Sequence, residues 1–369
     1  MNSRPNLLWL NWRDISNPEA GGAEVFTYEV ARRLVSRGWK VTLFTSAFTS
    51  SSSEEVVEGI EIIRRGGKLR VYGKAKSYCK THADDYDLVV DEINTRPFMT
   101  PKFLKNKPIL ALIHQLAREY WFYETPWPVS WLGYYHFEDS WLKQYRKVAT
   151  LTVSDSTRND LLKLGFTNVQ IIPEGISVEK CNSVPSKESE PTLIFVGRLK
   201  RVKKPDHAIK AFQLIRQTIA NAKMWIVGDG YMRTHLESIA GSGVIFTGRV
   251  PDQTKVDLMS RAHVLLFPAV REGWGLSITE AGARGTPVVA YDVPGVRDAV
   301  KAGETGVLVS PDDWEAMATQ TSLLLEDHRL RERMALKSIE LARQLSWEKT
   351  EMAFAEACLQ LLGGTEDRS

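Results

Sequence analysis

Cysteine is scarce in this chain of 369 residues, and its three copies, Cys79, Cys181 and Cys358, lie far apart. No CxxC pair occurs and the count is odd, which excludes a disulfide framework or a zinc finger and favours a reducing compartment. Long apolar runs are missing too. No stretch approaches the roughly 20 residues of a membrane span. The run after Met1–Pro5 is about six residues, shorter than a signal-peptide core. A soluble or peripheral cytoplasmic protein is expected, at most at the inner face of the cell membrane. The net charge of +3 is too small to argue for a nucleic-acid partner. No short repeat is evident, which sets aside solenoids and propellers.

What is present is ordinary in bulk: 43% hydrophobic and 25% charged residues. The length suggests two domains, each able to bury a core. Asn6–Leu10 reads as a buried strand, the loop to Gly21-Gly22 leads into a helix ending near Gly38, and Trp39–Phe44 is the next strand. That is a βαβ unit. The Gly21-Gly22 pair is either a close backbone approach to a ligand or a tight turn. Asp87–Asp91, Pro108–Ile113, Ala149–Val153 and Val169–Pro173 continue the strand series. His114 stands at the carboxyl end of one of them, where open parallel sheets bind ligands, or is simply a hydrogen-bonded histidine. The polar stretch Ser177–Pro191 reads as a linker. After it, Thr192–Val196, Lys223–Val227, Val244–Phe246, Val264–Pro268, Pro287–Ala290 and Gly306–Val309 read as a second series. Helices fill most of Asp312–Leu362. Alternating strands and helices on both sides of a linker predict two doubly wound α/β domains.

The most informative stretch runs from Arg271 to Arg284. An apolar strand, a glycine-rich loop and a helix start near Gly275 make an anion site, because free N–H groups at the helix start point at the loop. Glu272 lies in the loop and Glu280 inside the helix. They read as two acceptors gripping hydroxyls at the ends of an elongated ligand with an anionic middle. Other strand ends deliver polar or glycine groups to the same side: Gly197-Arg198, Gly228–Gly230 and Thr247-Gly248. Arg198 offers a planar fork of donors to phosphate and Lys203 a compact charge. The bland alternative is a solvated basic loop.

These residues resemble glycosyltransferase family 4, the glycosyl transferases of group 1. The E-x7-E spacing of Glu272 and Glu280 lies within Arg-Glu-Gly-Trp-Gly-Leu-Ser-Ile-Thr-Glu-Ala. Val196-Gly197-Arg198-Leu199 with Lys203, Gly228-Asp229-Gly230, Phe246-Thr247-Gly248, Gly21-Gly22 and His114 follow in order. The resemblance implies a GT-B fold, two Rossmann-like domains facing across a cleft with a C-terminal helix crossing back to the first. Residues 1–182 with 346–369 would form the acceptor-side domain, and 183–345 the nucleotide-sugar domain. Ser346-Trp347-Glu348-Lys349 resembles the start of the crossing helix.

The resemblance also implies a retaining, metal-independent hexosyltransferase that uses a UDP- or GDP-sugar and no cofactor. Glu280 would bind the ribose, Glu272 the donor sugar, and Arg198 and Lys203 the diphosphate. Gly21, Gly22, Gly197, Gly228, Gly230, Gly248, Val250, Gly273, Trp274, Gly275, Leu276 and Ser277 would line the donor site, with His114 beside the sugar. The family's usual Pro-Asn-Gly turn here reads Pro173-Glu174-Gly175, which leaves the role of Glu174 open. A sugar-nucleotide epimerase and a silent nucleotide-sugar binding protein are the rival readings. The acceptor would be a sugar, glycan or lipid-linked glycan in cell-surface glycan or glycolipid synthesis. Residues 115–147 are crowded with aromatics and basic residues. They read either as a peripheral membrane surface or as a helical pair whose aromatics meet the sheet or an oligomer partner.

Overall fold

The computed structural model describes residues 4–366, so the expected domain ends at 1–3 and 367–369 lie outside the described residues. The chain divides into two compact units. The first takes the chain up to Arg118, Trp127–Gly175 and the segment from Ser346. The second takes Ile176–Leu345 together with a short excursion, Glu119–Pro126. The break after Gly175 falls before the expected 182/183 boundary. The linker itself lies on the second unit: Cys181 N donates to Ala283 O at 3.0 Å, and Glu188 N to Arg261 O at 3.0 Å.

The first unit holds eight strands: β1 (Asn6–Leu10), β2 (Lys40–Thr45), β3 (Glu54–Val57), β4 (Ile60–Arg64), β5 (Leu88–Glu92), β6 (Ile109–Leu112), β7 (Ala149–Thr152) and β8 (Val169–Ile171). Their order is β3-β4-β2-β1-β5-β6-β7-β8. Every neighbouring pair is parallel except β3 with β4. Leu7 to Leu10 are fully buried, as expected for a central parallel strand covered on both faces. Trp9 lies in register with Leu43 on one side and Val90 on the other. Helix Gly22–Ser36 buries Phe26, Val30 and Leu34, which share one helical face. Strand β3 is an edge strand that the serine-rich sequence before it conceals.

The second unit has β9 (Thr192–Val196), β10 (Lys223–Val227), β11 (Val244–Gly248), β12 (Val264–Phe267), β13 (Val288–Tyr291) and β14 (Gly306–Val309). The order is β11-β10-β9-β12-β13-β14, all parallel. Renumbered from its first strand, this is the 3-2-1-4-5-6 order of a dinucleotide-binding sheet. Strand order reverses between β9 and β12 here, and between β1 and β5 in the first unit. At such a switch the flanking crossovers leave in opposite directions, so the carboxyl ends of those strands open a crevice. Helix Arg233–Ile239, which the sequence reading did not assign, carries the chain from β10 to β11.

The last helix, Trp347–Glu366, belongs to the first unit. Trp9 stacks on Phe354 with ring centres 4.7 Å apart, and Phe26 meets Trp347 edge-on at 5.9 Å. Arg33 pairs with Glu348 at 2.9 Å, and Thr350 Oγ1 donates to Pro173 O at 2.7 Å. A Cβ at Gly175 would collide with the Trp347 ring. Glycine there lets the turn after β8 lie flat against the helix.

Residues 115–147 hold a short helix, Tyr120–Glu124, and one continuous helical run from 129 to 145, in which a π segment at Gly133–Phe137 joins Val129–Leu132 to Glu138–Leu142 and a 3-10 turn at Lys143–Tyr145 ends it. Tyr145 and Leu142 are buried, but Trp127, Trp131, Tyr135 and Phe137 are exposed. Glu138 holds the start of the stretch by accepting from Ala117 N and Arg118 N at 2.5 and 2.9 Å.

Candidate active site

In the second unit the stretch from Arg271 to Arg284 takes the form its residues dictate. Helix Leu276–Ala283 follows Gly275, whose φ of 97° is left-handed and therefore suits glycine. Glu272 sits in the loop before it. That loop is fixed from behind: Glu272 N donates to Pro294 O at 3.1 Å, and a Cβ at Gly295 would strike the Glu272 carbonyl. Glu272 forms an ion pair with Lys203, which follows β9. Glu280 lies one turn into the helix and pairs with Lys255 of helix Asp252–Arg261 at 3.1 Å. Burial raises the Glu280 carboxyl above its ordinary range, and Lys255 opposes that shift. The Lys255 ammonium is lowered by burial but raised overall by Glu280 and Asp252. Each carboxylate thus stands against one cation rather than against the other.

The neighbouring glycines have structural reasons of their own. Gly228 has φ 132°, and a Cβ there would collide with Gly197 O. A Cβ at Gly230 would collide with Leu199 O. Gly197 N donates to Val227 O at 3.0 Å and Gly228 N to Gly248 O at 2.9 Å. The loops after β9, β10 and β11 therefore lie directly on one another, which puts Arg198 on a tightly woven backbone floor. Val250 and Trp274 pack against the core of this unit. The Trp274 indole N–H is buried and has no hydrogen-bond partner among the described residues. Leu276 and Ser277 supply the first helical N–H groups, and Gly273 completes the loop.

His114, Gly21 and Gly22 lie in the first unit, at the carboxyl edge of its sheet. Gly21 precedes the helix and Gly22 is its first residue. The Glu24 carboxylate accepts from Gly21 N at 2.6 Å and from Arg13 Nε at 3.1 Å, so a third helical residue reaches back to cap the start. His114 is buried, with Nε2 3.3 Å from Glu92 Oε1. Burial alone would lower the imidazole pKa, yet Glu92, Glu174 and Glu24 together hold it above the ordinary value. Glu174 is buried as well. Desolvation and the charge of Glu92 push its carboxyl up to about 7, against the attraction of His114.

Several site residues escaped the sequence reading. Glu92 looks like the polar end of a strand. Two acids in succession, Asp91-Glu92, closing an apolar run were the available signal. Asp91 is used internally, accepting from Thr100 Oγ1 at 2.7 Å and from Tyr145. Lys255 sits on a polar helix, Asp252–Arg261, with no local pattern to single it out. Arg271 is buried and donates through Nε to Glu119 at 2.7 Å, a partner 152 residues away that no local pattern discloses.

Two Rossmann-like units, the second with an anion-ready loop framed by two carboxylates, define a GT-B glycosyltransferase. The sequence profile "Glycosyl transferases group 1" matches residues 179–340, and that of "Glycosyltransferase Family 4" matches residues 20–180. The chain belongs to this family and is a glycosyltransferase. It is 25% identical to the D-inositol 3-phosphate glycosyltransferase of Corynebacterium diphtheriae, over 95% of this chain and 93% of that protein. Sucrose-phosphate synthase from Thermosynechococcus elongatus has the same fold, with a TM-score of 0.79, 19% identity, and 98% and 100% of the two chains covered. HepE from Anabaena, solved with UDP and glucose, superposes with a TM-score of 0.74 at 18% identity, over 97% and 100%.

Proposed function

We propose that the protein moves a hexosyl group from a UDP- or GDP-sugar to a sugar, glycan or lipid-linked acceptor, with retention at the anomeric carbon and without a metal. The observation that carries this reading is the pairing of Glu272 with Lys203 and of Glu280 with Lys255 around one helix start. A sugar diphosphate offers hydroxyls at both ends and charge in the middle. Its phosphates compete with Glu272 for Lys203 and so free that carboxylate to accept from sugar hydroxyls. Glu280 accepts from the ribose. Arg198, Lys203 and the N–H groups of Leu276 and Ser277 stabilise the departing diphosphate. His114 contacts the sugar, and Gly22 lets backbone approach the substrate.

Glu272 has a binding task, which leaves no obvious carboxylate nucleophile. Front-face transfer follows, in which the leaving phosphate oxygen takes the proton of the acceptor hydroxyl as the new glycosidic bond forms. The protein then contributes positioning and charge stabilisation. HepE was solved with UDP and glucose, which supports testing UDP-sugars first. For the acceptor, the exposed aromatics Trp127, Trp131, Tyr135 and Phe137 support a lipid-linked substrate met at a membrane surface.

A calorimetric screen of UDP- and GDP-sugars, followed by proton NMR of the transfer product, tests the reading. Micromolar binding of one nucleotide class and a product anomer matching the donor are expected. The opposite anomer would overturn retention, and no binding of either class would overturn the donor assignment.

A further inference from the structure

The first unit contains a group of acids that the donor chemistry does not use. Three carboxylates converge on His114 from three elements. Glu92 comes from the end of β5, Glu24 from the first turn of helix Gly22–Ser36, and Glu174 from the turn after β8. All three are almost wholly buried. Glu24 is occupied by Arg13 and Gly21 N. Glu92 is held differently. Its Oε2 accepts from Trp9 Nε1 at 2.8 Å and from Thr27 Oγ1 at 2.5 Å. Its Oε1 and His114 Nε2 face each other at 3.3 Å, and neither atom has a hydrogen-bond partner of good geometry among the described residues. The edge of Phe26 closes the imidazole from another side, with ring centres 4.9 Å apart.

We propose that Glu92 is a positioning residue for His114: clamped by Trp9 and Thr27, it fixes the Nε2–H tautomer of the imidazole and turns Nδ1 toward the substrate. The inference rests on the role of His114 beside the sugar given above. A buried histidine with one fixed partner presents its other nitrogen in a defined state. With Glu92 ionised, the imidazolium is favoured and Nδ1 donates a hydrogen bond to a sugar or acceptor oxygen. Glu174 adds to Glu92 when it is ionised. When it loses its proton, a second negative charge strengthens the imidazolium. When it is protonated, His114 relies on Glu92 alone.

Trp9 and Thr27 serve as supports. A clamp of two donors on one oxygen leaves the other oxygen a single orientation. That is the arrangement by which a carboxylate sets a histidine tautomer in many active sites. Without Glu92, burial would drive His114 to its neutral form, and its remaining ring proton would no longer be held on Nε2.

Long-range proton–nitrogen NMR of the histidine rings tests this without any need for turnover. The His114 signal is assigned by its loss in His114→Gln. In the wild-type chain its titration midpoint lies above the ordinary histidine value, with Nε2 protonated in the neutral form. In Glu92→Gln the midpoint falls by about one pH unit or more, and Glu92→Asp restores part of it. An unchanged midpoint and tautomer in Glu92→Gln, in a variant whose unfolding temperature matches wild type at pH 8, would overturn the proposal. The kinetic counterpart is the pH profile of kcat/KM. Its alkaline limb moves to lower pH in Glu92→Gln and disappears in His114→Gln, whereas a merely structural role scales the profile without moving it. A wild-type chain that transfers no sugar from any nucleotide donor would defeat the functional reading, while the NMR titration would still decide the Glu92–His114 relation.

Discussion

Glu119 and Arg271 pair at 2.7 Å inside the second unit, although the chain around Glu119 otherwise belongs to the first. Arg271 immediately precedes Glu272, the carboxylate assigned to the donor sugar. The same excursion makes two more attachments: Glu124 accepts from Tyr231 OH at 2.9 Å, and the Lys204 ammonium lies 5.2 Å from the centre of the Tyr123 ring. A strap distant in sequence thus steadies the loop that carries Glu272.

The strap makes a prediction about donor affinity. Replacing Glu119 by alanine takes one acceptor from a buried guanidinium, an interaction worth about 1–3 kcal/mol. Glu119 is itself partly exposed, so the lower end applies. KM for the nucleotide sugar rises about fivefold to tenfold in Glu119→Ala, with a smaller change in kcat, because the loop is loosened but its chemistry is intact. Steady-state kinetics at fixed acceptor checks it. An unchanged donor KM would show that the loop holds its place without the strap.

Two substitutions separate binding from turnover in the donor site. Glu280→Ala removes the proposed ribose acceptor and leaves the half-buried Lys255 with Asp252 at 3.3 Å. Nucleotide affinity, measured calorimetrically with the free diphosphate, falls about tenfold to a hundredfold. Arg198→Ala acts on the leaving group, so its main effect is on kcat, with about a hundredfold loss expected for a donor to developing charge. Near-native turnover in Arg198→Ala would remove the diphosphate role assigned to it.

The donor half was the more readable part of the sequence, and the reason is local. Strands such as Thr192–Val196 are uninterrupted apolar runs that end in glycine, and the E-x7-E spacing lies within one loop and helix. The sequence could not reveal that Glu272 and Glu280 each stand against a lysine, because Lys203 and Lys255 come from other segments. Nor could it reveal Glu92 beneath His114, which depends on β5 and β6 lying side by side with Glu92 opposite Leu112. The strap at Glu119–Pro126 carries no periodicity at all. Its assignment to the second unit is purely a tertiary fact. Glu174, which departs from the family's usual turn, was visible as an oddity. Only its burial beside His114 gives it a proton affinity near neutrality.

Lys187 gives the linker a pH signature. Its ammonium donates to Ser260 O and Thr286 Oγ1, both at 2.8 Å, and burial pushes its pKa down to about 7. The folded value lies below the ordinary 10.5 of the unfolded chain. Between about 7 and 10.5 the unfolded chain therefore binds a proton that the folded chain does not, and stability contributed by this site rises with pH. Below about 7 both states are protonated and the penalty for the buried charge is complete. Denaturant unfolding of wild type and Lys187→Met at pH 6.5, 8 and 9.5 checks the sign. The stability of wild type relative to the variant climbs with pH, at up to about 1.4 kcal/mol per unit within the window. Parallel curves would show that Lys187 keeps its proton throughout.

The exposed aromatics carry the last prediction. Trp127 is 82% exposed, and Trp131 and Tyr135 about half exposed. Trp131 lies 5.3 Å from Tyr135, and Phe137 stacks on Trp141 at 5.6 Å, so the rings shelter one another only in part. Exposed lysines, Lys143 and Lys147, follow in the same stretch. Tryptophan and tyrosine favour the interface between lipid and water, and nearby lysines add attraction to anionic headgroups. No helix among the described residues is long and apolar enough to cross a membrane. Vesicles containing phosphatidylglycerol should float the protein at low salt. Trp127→Ala with Trp131→Ala should abolish flotation at all salt concentrations, whereas Lys143→Glu with Lys147→Glu should weaken it mainly at low salt, because screening already removes the lysine contribution at high salt. Both double variants should retain wild-type nucleotide binding, since the altered residues belong to the other unit. Failure to float at low salt, together with concentration-dependent sedimentation that the tryptophan variant loses, would assign the face to a second copy of the chain instead.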